Sequence, residues 1–211
     1  MLAPLLIAFL ATPPPAPAAG DAAAAQAMLR RLEERSAHTS DLAARFSQSY
    51  RSGMLGRQVT ERGTVEIKRP GLMRWEYTEP EKKVFVSDGR SFYFYVPAEK
   101  QVIVSRQDGQ RSLAARLLSG RGDLGAEFSV SLDSPQEEGV VRLKLVPRHE
   151  DPDLERAWVD LEPSGRIRAI QLDDLQGNRT SFRFEAIREN TGLKDERFRF
   201  QVPKGVEVIR G

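Results

Sequence analysis

The chain has 211 residues, of which 40% are hydrophobic and 29% charged, with 32 basic and 30 acidic side chains that nearly cancel. That length accommodates one domain with a substantial core plus a leader. The composition describes a soluble globular protein, and the interspersed charge offers no basic stripe for nucleic acid. Cysteine is absent, which excludes disulfides, thiolate metal sites, thiol nucleophiles and an acylated cysteine, so the chain is not itself a lipoprotein.

The apolar run Met1–Leu10 precedes a Pro/Ala stretch and the small-x-small pattern Ala16-Pro17-Ala18. The run is too short to span a bilayer. Residues 1–19 therefore read as a signal peptide, cut after Ala18 or Ala19, rather than as a disordered Ala/Pro tail; the mature domain is 20–211. Asp21 to about Arg35 predicts a helix capped by Asp21, with Ala25, Met28, Leu29 and Leu32 on one side. The period then changes to two: Leu42, Ala44, Phe46, Gln48 and Tyr50 alternate with their neighbours, and Gly53–Gly56 is a turn.

Strands are predicted at about 59–69, 72–78, 83–87, 91–96 and 101–106, with turns at Asp88-Gly89 and Asp108-Gly109. A short helix follows, with Ser112 as N-cap, Gly120 just past its end, and Leu113, Leu117 and Leu118 on its apolar side. Further strands are expected around Val141/Leu143/Leu145, Ala157/Val159/Leu161, Phe182/Phe184/Ala186 and Phe198/Phe200/Val202, with turns at Ser164-Gly165 and Gly177-Asn178. Pro147–Asp153 reads as a polar loop. This is a mainly β (α+β) chain: an antiparallel sheet of ten or so strands, large enough that it must curl. The two amphipathic helices then cover its open mouth.

Ile67–Pro97 concentrates much of the aromatic content. Side chains alternate across a strand, so taking Trp75 as inward places Met73, Tyr77, Ile67 and Val65 inward with it. Carried back past Gly71, the same parity puts Arg69 on that apolar face. Phe85, Phe92 and Phe94 belong to the next two strands of the same greasy surface. A sheet with such a concave face suits the carriage of something insoluble. A guanidinium there needs acceptors, and the carbonyls at the C-terminal ends of the two helices are available. Hydrogen bonds to those carbonyls would make Arg69 a latch. The competing reading is an edge-strand arginine that snorkels to solvent.

Enzymatic chemistry finds little support. His38 and His149 lack a serine or carboxylate constellation at motif spacing. Gly120-x-Gly122-x-x-Gly125 matches a dinucleotide fingerprint only formally, because it follows a helix rather than a strand and reads as a cap and loop. Asp151-x-Asp153 and Asp173-Asp174 lack the rest of a metal ligand set. No catalytic residue, metal or cofactor is expected.

Several motifs, taken in order and spacing, resemble the LolA family of periplasmic outer-membrane lipoprotein carriers. They are Phe46-Ser47-Gln48, Lys68-Arg69-Pro70 with Trp75 following, Val86-Ser87-Asp88-Gly89 and Phe94-Tyr95-x-Pro97. Leu145-x-Pro147, Ser164-Gly165 and the closing Phe198-x-Phe200-x-x-Pro203-x-Gly205-Val206 complete the set. The resemblance implies an incomplete barrel of about eleven strands with an α-helical lid over a hydrophobic cavity. It implies a lid latch at Arg69 and a lid helix around Leu113–Leu118. The acyl-chain cavity would then be lined by Phe46, Ile67, Met73, Trp75 and Tyr77, by Phe85, Phe92 and Phe94, and by Leu113, Leu117 and Leu118. The implied cargo is triacylated lipoprotein, received by a monomer in the periplasm from an inner-membrane LolCDE-type ABC transporter and passed to the outer membrane, through a LolB-like acceptor where one exists. The resemblance implies transporter or acceptor docking at Met73, which stands where some members carry an aromatic residue implicated in gripping the transporter; Gly71 stands where some carry a polar one, so the details of docking do not carry over from those members. A carrier or sensor of another lipid or glycolipid is the alternative on the same fold.

Overall fold

A computed structural model describes residues 19–106, 113–120 and 122–211. The expected signal peptide over 1–18, the Asp108-Gly109 turn and the Ser112 cap lie outside the described residues. The chain opens with helix α1 (Ala19–His38), whose Ala25, Met28, Leu29 and Leu32 are all buried. These positions recur at the spacing of one helical face. Asp21 is not the cap that was expected, since the helix already begins at Ala19. It lies in the first turn, where a carboxylate favours the helix dipole, and Arg35 and His38 complement the other end.

Six strands follow: β1 (Asp41–Arg51), β2 (Gln58–Lys68), β3 (Leu72–Glu79), β4 (Lys83–Asp88), β5 (Ser91–Val96) and β6 (Gln101–Arg106). Helix α2 (Leu113–Ser119) and the single-turn helix α3 (Leu124–Glu127) interrupt them. The chain then forms β7 (Phe128–Asp133), β8 (Val141–Pro147), β9 (Arg156–Leu161), β10 (Ile167–Asp173), β11 (Arg179–Glu189) and β12 (Glu207–Arg210). All twelve belong to one sheet in the order β12-β6-β5-β4-β3-β2-β1-β11-β10-β9-β8-β7. The pairings are antiparallel except β12, which runs parallel to β6. The sheet is open, with β7 and β12 at its edges, and its concave face holds the core beneath α1 and α2.

The curved, mainly β sheet of about eleven strands is borne out with twelve, β7, β10 and β12 adding to those predicted. Two expectations are corrected. Phe198/Phe200/Val202 is not a strand: Asp195–Phe198 is a 3₁₀ turn, and the segment straps the convex side. There Phe200 packs on Tyr93 and Tyr95, with ring centroids 5.3 and 5.6 Å apart, and Phe198 is buried. Finally, the segment read as a cap and loop around Gly120–Gly125 includes helix α3, which Asp123 caps by accepting the Ala126 N–H at 2.9 Å.

Candidate functional site

The concave face carries an aromatic cluster that the strand registers align. Val65 faces Trp75 across β2 and β3, Trp75 faces Phe85 across β3 and β4, and Phe85 faces Phe94 across β4 and β5. Phe46 is edge-on to both Trp75 and Tyr77 at 4.9 Å, and Trp75 is edge-on to Phe182 at 5.6 Å. Edge-to-face pairs of this kind add to what burial alone contributes. The Phe46 ring fits because residue 63 is glycine: a Cβ there would fall 2.9 Å from the Phe46 ring and 2.0 Å from the Glu76 carbonyl oxygen. A register shift in β2 accompanies that close approach.

At one end of the cluster the lining turns polar. Tyr77 donates its hydroxyl to Gln48 Oε1 at 2.6 Å, and burial pushes the phenol pKa up, assisted by the Glu61 charge. Lys83 sits over the Tyr77 ring at 4.3 Å and pairs with Glu61 at 2.6 Å. Beyond Phe85, the row Phe92 and Phe94 is half-buried, and Ile103 on β6 is 38% exposed.

Two helices fill the trough in different ways. α1 lies over the β7–β8 side of the sheet. It is fastened by polar contacts: Arg35 pairs with Glu189, its Nε donating at 3.1 Å, and Arg31 Nη1 donates to the Pro163 carbonyl at 3.2 Å. The Gly165 turn, at φ +82°, tucks so closely under α1 that a Cβ would meet the Arg31 carbonyl oxygen at 2.6 Å. α2 buries Leu113, Ala114, Ala115, Leu117 and Leu118 against the same interior. Its side-chain polar contacts among the described residues are local, from Arg116 to Glu127 of α3 and from Ser119 Oγ to the Arg116 carbonyl at 3.1 Å. Among the described residues, the contacts of α2 with the sheet are apolar, apart from the Arg69 guanidinium beside Gly120.

A cavity of about 30 Å³ lies among Leu32, Leu42, Ala44, Arg69, Leu117 and Phe184. Beside it, Leu113, Leu117 and Leu118 of α2 lie in the trough and are buried with the residues of the sheet.

Arg69 stands where the two helices end. Its backbone N–H donates to the Ser40 carbonyl at 2.9 Å, just past α1. Its guanidinium reaches Gly120, the residue that closes α2 at φ +63°, so that a Cβ on Gly120 would fall 2.4 Å from Nη2. Gly120 thus supplies both the left-handed cap and the room for the guanidinium. Arg69 is half-buried, and burial pulls its pKa below the usual guanidinium value. No hydrogen bond or ion pair to the guanidinium is made among the described residues; the cation faces the C-terminal ends of α1 and α2, where the helix dipoles favour positive charge. Beside it a cleft of about 330 Å³ opens between α1 and the α2–α3 segment, lined by Glu33, Ser36, Arg116, Gly122 and Asp123 among others. Burial raises the Glu33 pKa, and the Asp123 charge adds to that rise.

The residues singled out in the sequence are therefore brought together unevenly. Phe46, Ile67, Met73, Trp75, Tyr77, Leu113, Leu117 and Leu118 share one buried cluster, and Phe85 packs against its border. Phe92 and Phe94 extend it as a half-covered wing. Met73 is buried rather than presented on the surface. Sequence reasoning missed Phe182 and Phe184 as members, read only as strand residues; it missed Gly63, and it read Gly120 only as the residue that closes the helix. The glycines are legible only once their neighbours in space are known. The carboxylate pairs have structural roles: Asp151 accepts the Asp153 N–H at 2.9 Å, and Asp173 accepts from Arg179 Nε and Nη2 at 2.7 and 2.8 Å.

Comparison with known proteins places this geometry. The model of the family "Outer membrane lipoprotein carrier protein LolA" matches residues 37–201. The chain belongs to the LolA family. The LolA match spans the sheet from β1 to β11 with α2 and α3, and leaves out most of α1 and all of β12. Among curated LolA-type relatives, the outer-membrane lipoprotein carrier protein of Cupriavidus taiwanensis is 35% identical over 152 residues, 72% of this chain and 71% of that one. That of Dechloromonas aromatica is 34% identical over 82% of each chain, and that of Pseudomonas paraeruginosa 31% identical over 98% and 97%. Among solved structures, an uncharacterised conserved protein of Thermus thermophilus has the same fold, with a TM-score of 0.58 at 14% identity over 89% of this chain and 99% of that one.

Proposed function

We propose that this chain is a non-enzymatic carrier that shelters the acyl chains of outer-membrane lipoproteins in the trough now filled by α2. One observation carries the reading. A seven-residue helix with an apolar face occupies an aromatic-lined concave surface, and its described polar contacts do not bind it to the sheet. Such a plug is exchangeable for hydrocarbon, whereas a fastened one is not. Membership of the LolA family and relatives named as outer-membrane lipoprotein carriers support the reading.

The energetics fit exchange rather than capture. Burying a leucine contributes roughly 1.5–3 kcal/mol, so unseating Leu113, Leu117 and Leu118 costs several kcal/mol. One acyl chain of ~14 methylenes gains roughly 11 kcal/mol on leaving water, which exceeds that cost. From a bilayer the chain gains nothing, because lipid is already apolar. Cargo therefore has to be handed over by a machine that consumes energy. We assign that role to an inner-membrane ABC transporter of the LolCDE type, with delivery to an outer-membrane acceptor, and place the carrier in the periplasm after removal of residues 1–19.

Arg69 acts as the latch in this scheme. Its charge at the ends of α1 and α2 favours the closed lid, and filling the trough with hydrocarbon displaces α2 from it. The expected result for Arg69→Leu is that a triacylated lipopeptide still binds, while its release to acceptor membranes falls roughly tenfold, the equivalent of about 1.4 kcal/mol of lost drive to close. Normal release by the variant in a reconstituted transfer assay would remove the latch from the mechanism. Failure of the wild-type protein to bind the lipopeptide at all would remove the carrier reading itself.

A further inference from the structure

At the end of the strands opposite Arg69, two hairpins project side by side. The β1–β2 turn (52–57) and the β10–β11 turn (174–178) are neighbours because Arg51 pairs with both Gln58 and Arg179. Gly53 N–H donates to Asn178 Oδ1 at 3.1 Å, and a Cβ on Gly53 would fall 2.5 Å from the Gly177 carbonyl oxygen, so the two backbones touch. From this paired tip three large apolar side chains stand in solvent: Met54 at 91% exposure, Leu55 at 69% and Leu175 at 60%. Isolated apolar residues on a surface are ordinary, but three on one projecting tip are not.

The tip is built rather than loose. The Ser52 N–H donates to the Arg57 carbonyl and the Gly56 N–H to the Ser52 carbonyl, both at 3.0 Å, while Leu55 N–H donates to Ser52 Oγ at 3.2 Å. The Asp174 carboxylate is consumed inside its own turn, accepting the Gln176 and Asn178 N–H groups at 2.9 Å each. Asp173 is paired with Arg179. Arg51 and Arg57, by contrast, are exposed and have no ion-pair partner among the described residues. Of the acidic side chains at this end with no ion pair among the described residues, Glu150, Asp151 and Asp153 belong to the β8–β9 loop beyond the β10–β11 hairpin, Glu81 stands next to Lys82 in the β3–β4 turn, and Glu99 and Glu207 lie farther off, beside β6. The β1–β2 turn itself, from Arg51 to Gln58, contains no acidic residue and is both apolar and cationic.

We propose that these paired tips dock the protein reversibly on an anionic lipid bilayer, with Met54, Leu55 and Leu175 entering the interface and Arg51 and Arg57 meeting the headgroups. Apolar side chains flanked by arginines are the pattern that partitions to such an interface, and a few of them give weak, salt-sensitive attachment rather than anchorage. A carrier that must leave again requires that weakness. The proposal does not depend on the trough being a lipid site. An eleven-residue β2 separates the tip from Arg69 by roughly 35 Å.

Flotation of the full mature chain with vesicles tests it. Phosphatidylethanolamine vesicles containing phosphatidylglycerol are expected to carry the wild-type protein at low salt, and phosphatidylcholine vesicles to carry roughly tenfold less. Met54→Asp combined with Leu55→Asp is expected to lower binding at least roughly tenfold, and Arg51→Gln with Arg57→Gln to abolish the preference for phosphatidylglycerol. Val202→Asp, an exposed apolar site outside both tips, is expected to change nothing. In Met54→Trp the indole emission of the introduced side chain shifts to the blue on adding phosphatidylglycerol vesicles. Absence of wild-type binding, tip variants that float as the wild type does, or an indole emission that stays unshifted in Met54→Trp would each overturn the proposal. So would tip variants that float normally yet fail to deliver cargo to a protein acceptor, which would make the tip a protein contact. Binding of lipopeptide to the trough is measured separately and decides only the carrier reading.

Discussion

The two sides of the trough are built from the same alternation of apolar and polar residues but finished differently. Under α1, Leu143, Leu145, Val159 and Leu161 are essentially inaccessible to solvent. On β4 to β6, Phe85, Phe92 and Phe94 remain half-buried, and Ile103 is 38% exposed. The covering helix on the first side is twenty residues long and held by Arg35–Glu189, Arg31 and the Gly165 turn. The helix in the middle has seven residues and no described polar bond to the sheet. On the proposed carrier reading, fastening rather than the hydrophobicity of the strands beneath would distinguish permanent core from replaceable filling.

The sharpest way to break that distinction is to weaken the permanent side. Leu161→Ala removes a fully buried side chain on β9 and is expected to cost about 2–5 kcal/mol in denaturant unfolding, with little effect on lipopeptide affinity in the fraction that stays folded. A cost below about 1 kcal/mol would show that this side is not the rigid core.

The join between α1 and β1 comes next. Burial pushes the Asp41 carboxyl up, but hydrogen bonds from Thr191, Gly192 and Leu193 outweigh it and hold the pKa below the usual carboxylate range. The Thr191 N–H and hydroxyl donate at 2.8 and 2.9 Å and the Gly192 N–H at 2.9 Å. A depressed folded-state pKa stabilises the protein at pH values above the unfolded carboxylate pKa, and that contribution disappears as pH falls through the folded value. Asp41→Asn is expected to cost about 1–3 kcal/mol at neutral pH, and the two proteins to converge in stability under acid. Parallel stability curves down to acid pH would show that this carboxylate does not link the elements.

On the replaceable side the effect on folding is smallest and the effect on ligand largest. Phe94 stacks on Phe85 with centroids 4.3 Å apart, and both are half-buried. Phe94→Ala is expected to cost only about 1 kcal/mol of stability, while lowering lipopeptide affinity several-fold in a fluorescence titration. Unchanged affinity would exclude the β4–β6 wing from the ligand surface.

Much of this contrast is legible in the sequence, and the exceptions have physical reasons. The strict alternation through Met73, Trp75 and Tyr77 assigns the concave face correctly because one face of those strands is buried throughout. β10 is harder to read: a register irregularity between Ile167 and Ala169 breaks its period. β12 has four residues and joins β6 in parallel, so no hairpin turn announces it. Phe198 and Phe200 alternate like a strand, yet their rings pack as a strap over the convex face, a tertiary fact that local periodicity does not encode. Arg69 is visible as an odd cation beside apolar strands. Its neighbour Gly120 lies 51 positions away and reads only as a helix cap until the fold brings the two into contact. The filled state of the trough is also invisible in sequence, since it depends on how deeply Leu117 and Leu118 seat.

Hydrogen–deuterium exchange of the full chain with and without a triacylated lipopeptide tests the replaceable lid most directly. The lid mechanism predicts that amides of 113–119 exchange faster in the complex while those of α1 and β7 to β10 do not change. Slower or unchanged exchange in 113–119 at saturating lipopeptide would mean that the hydrocarbon binds elsewhere and α2 is core.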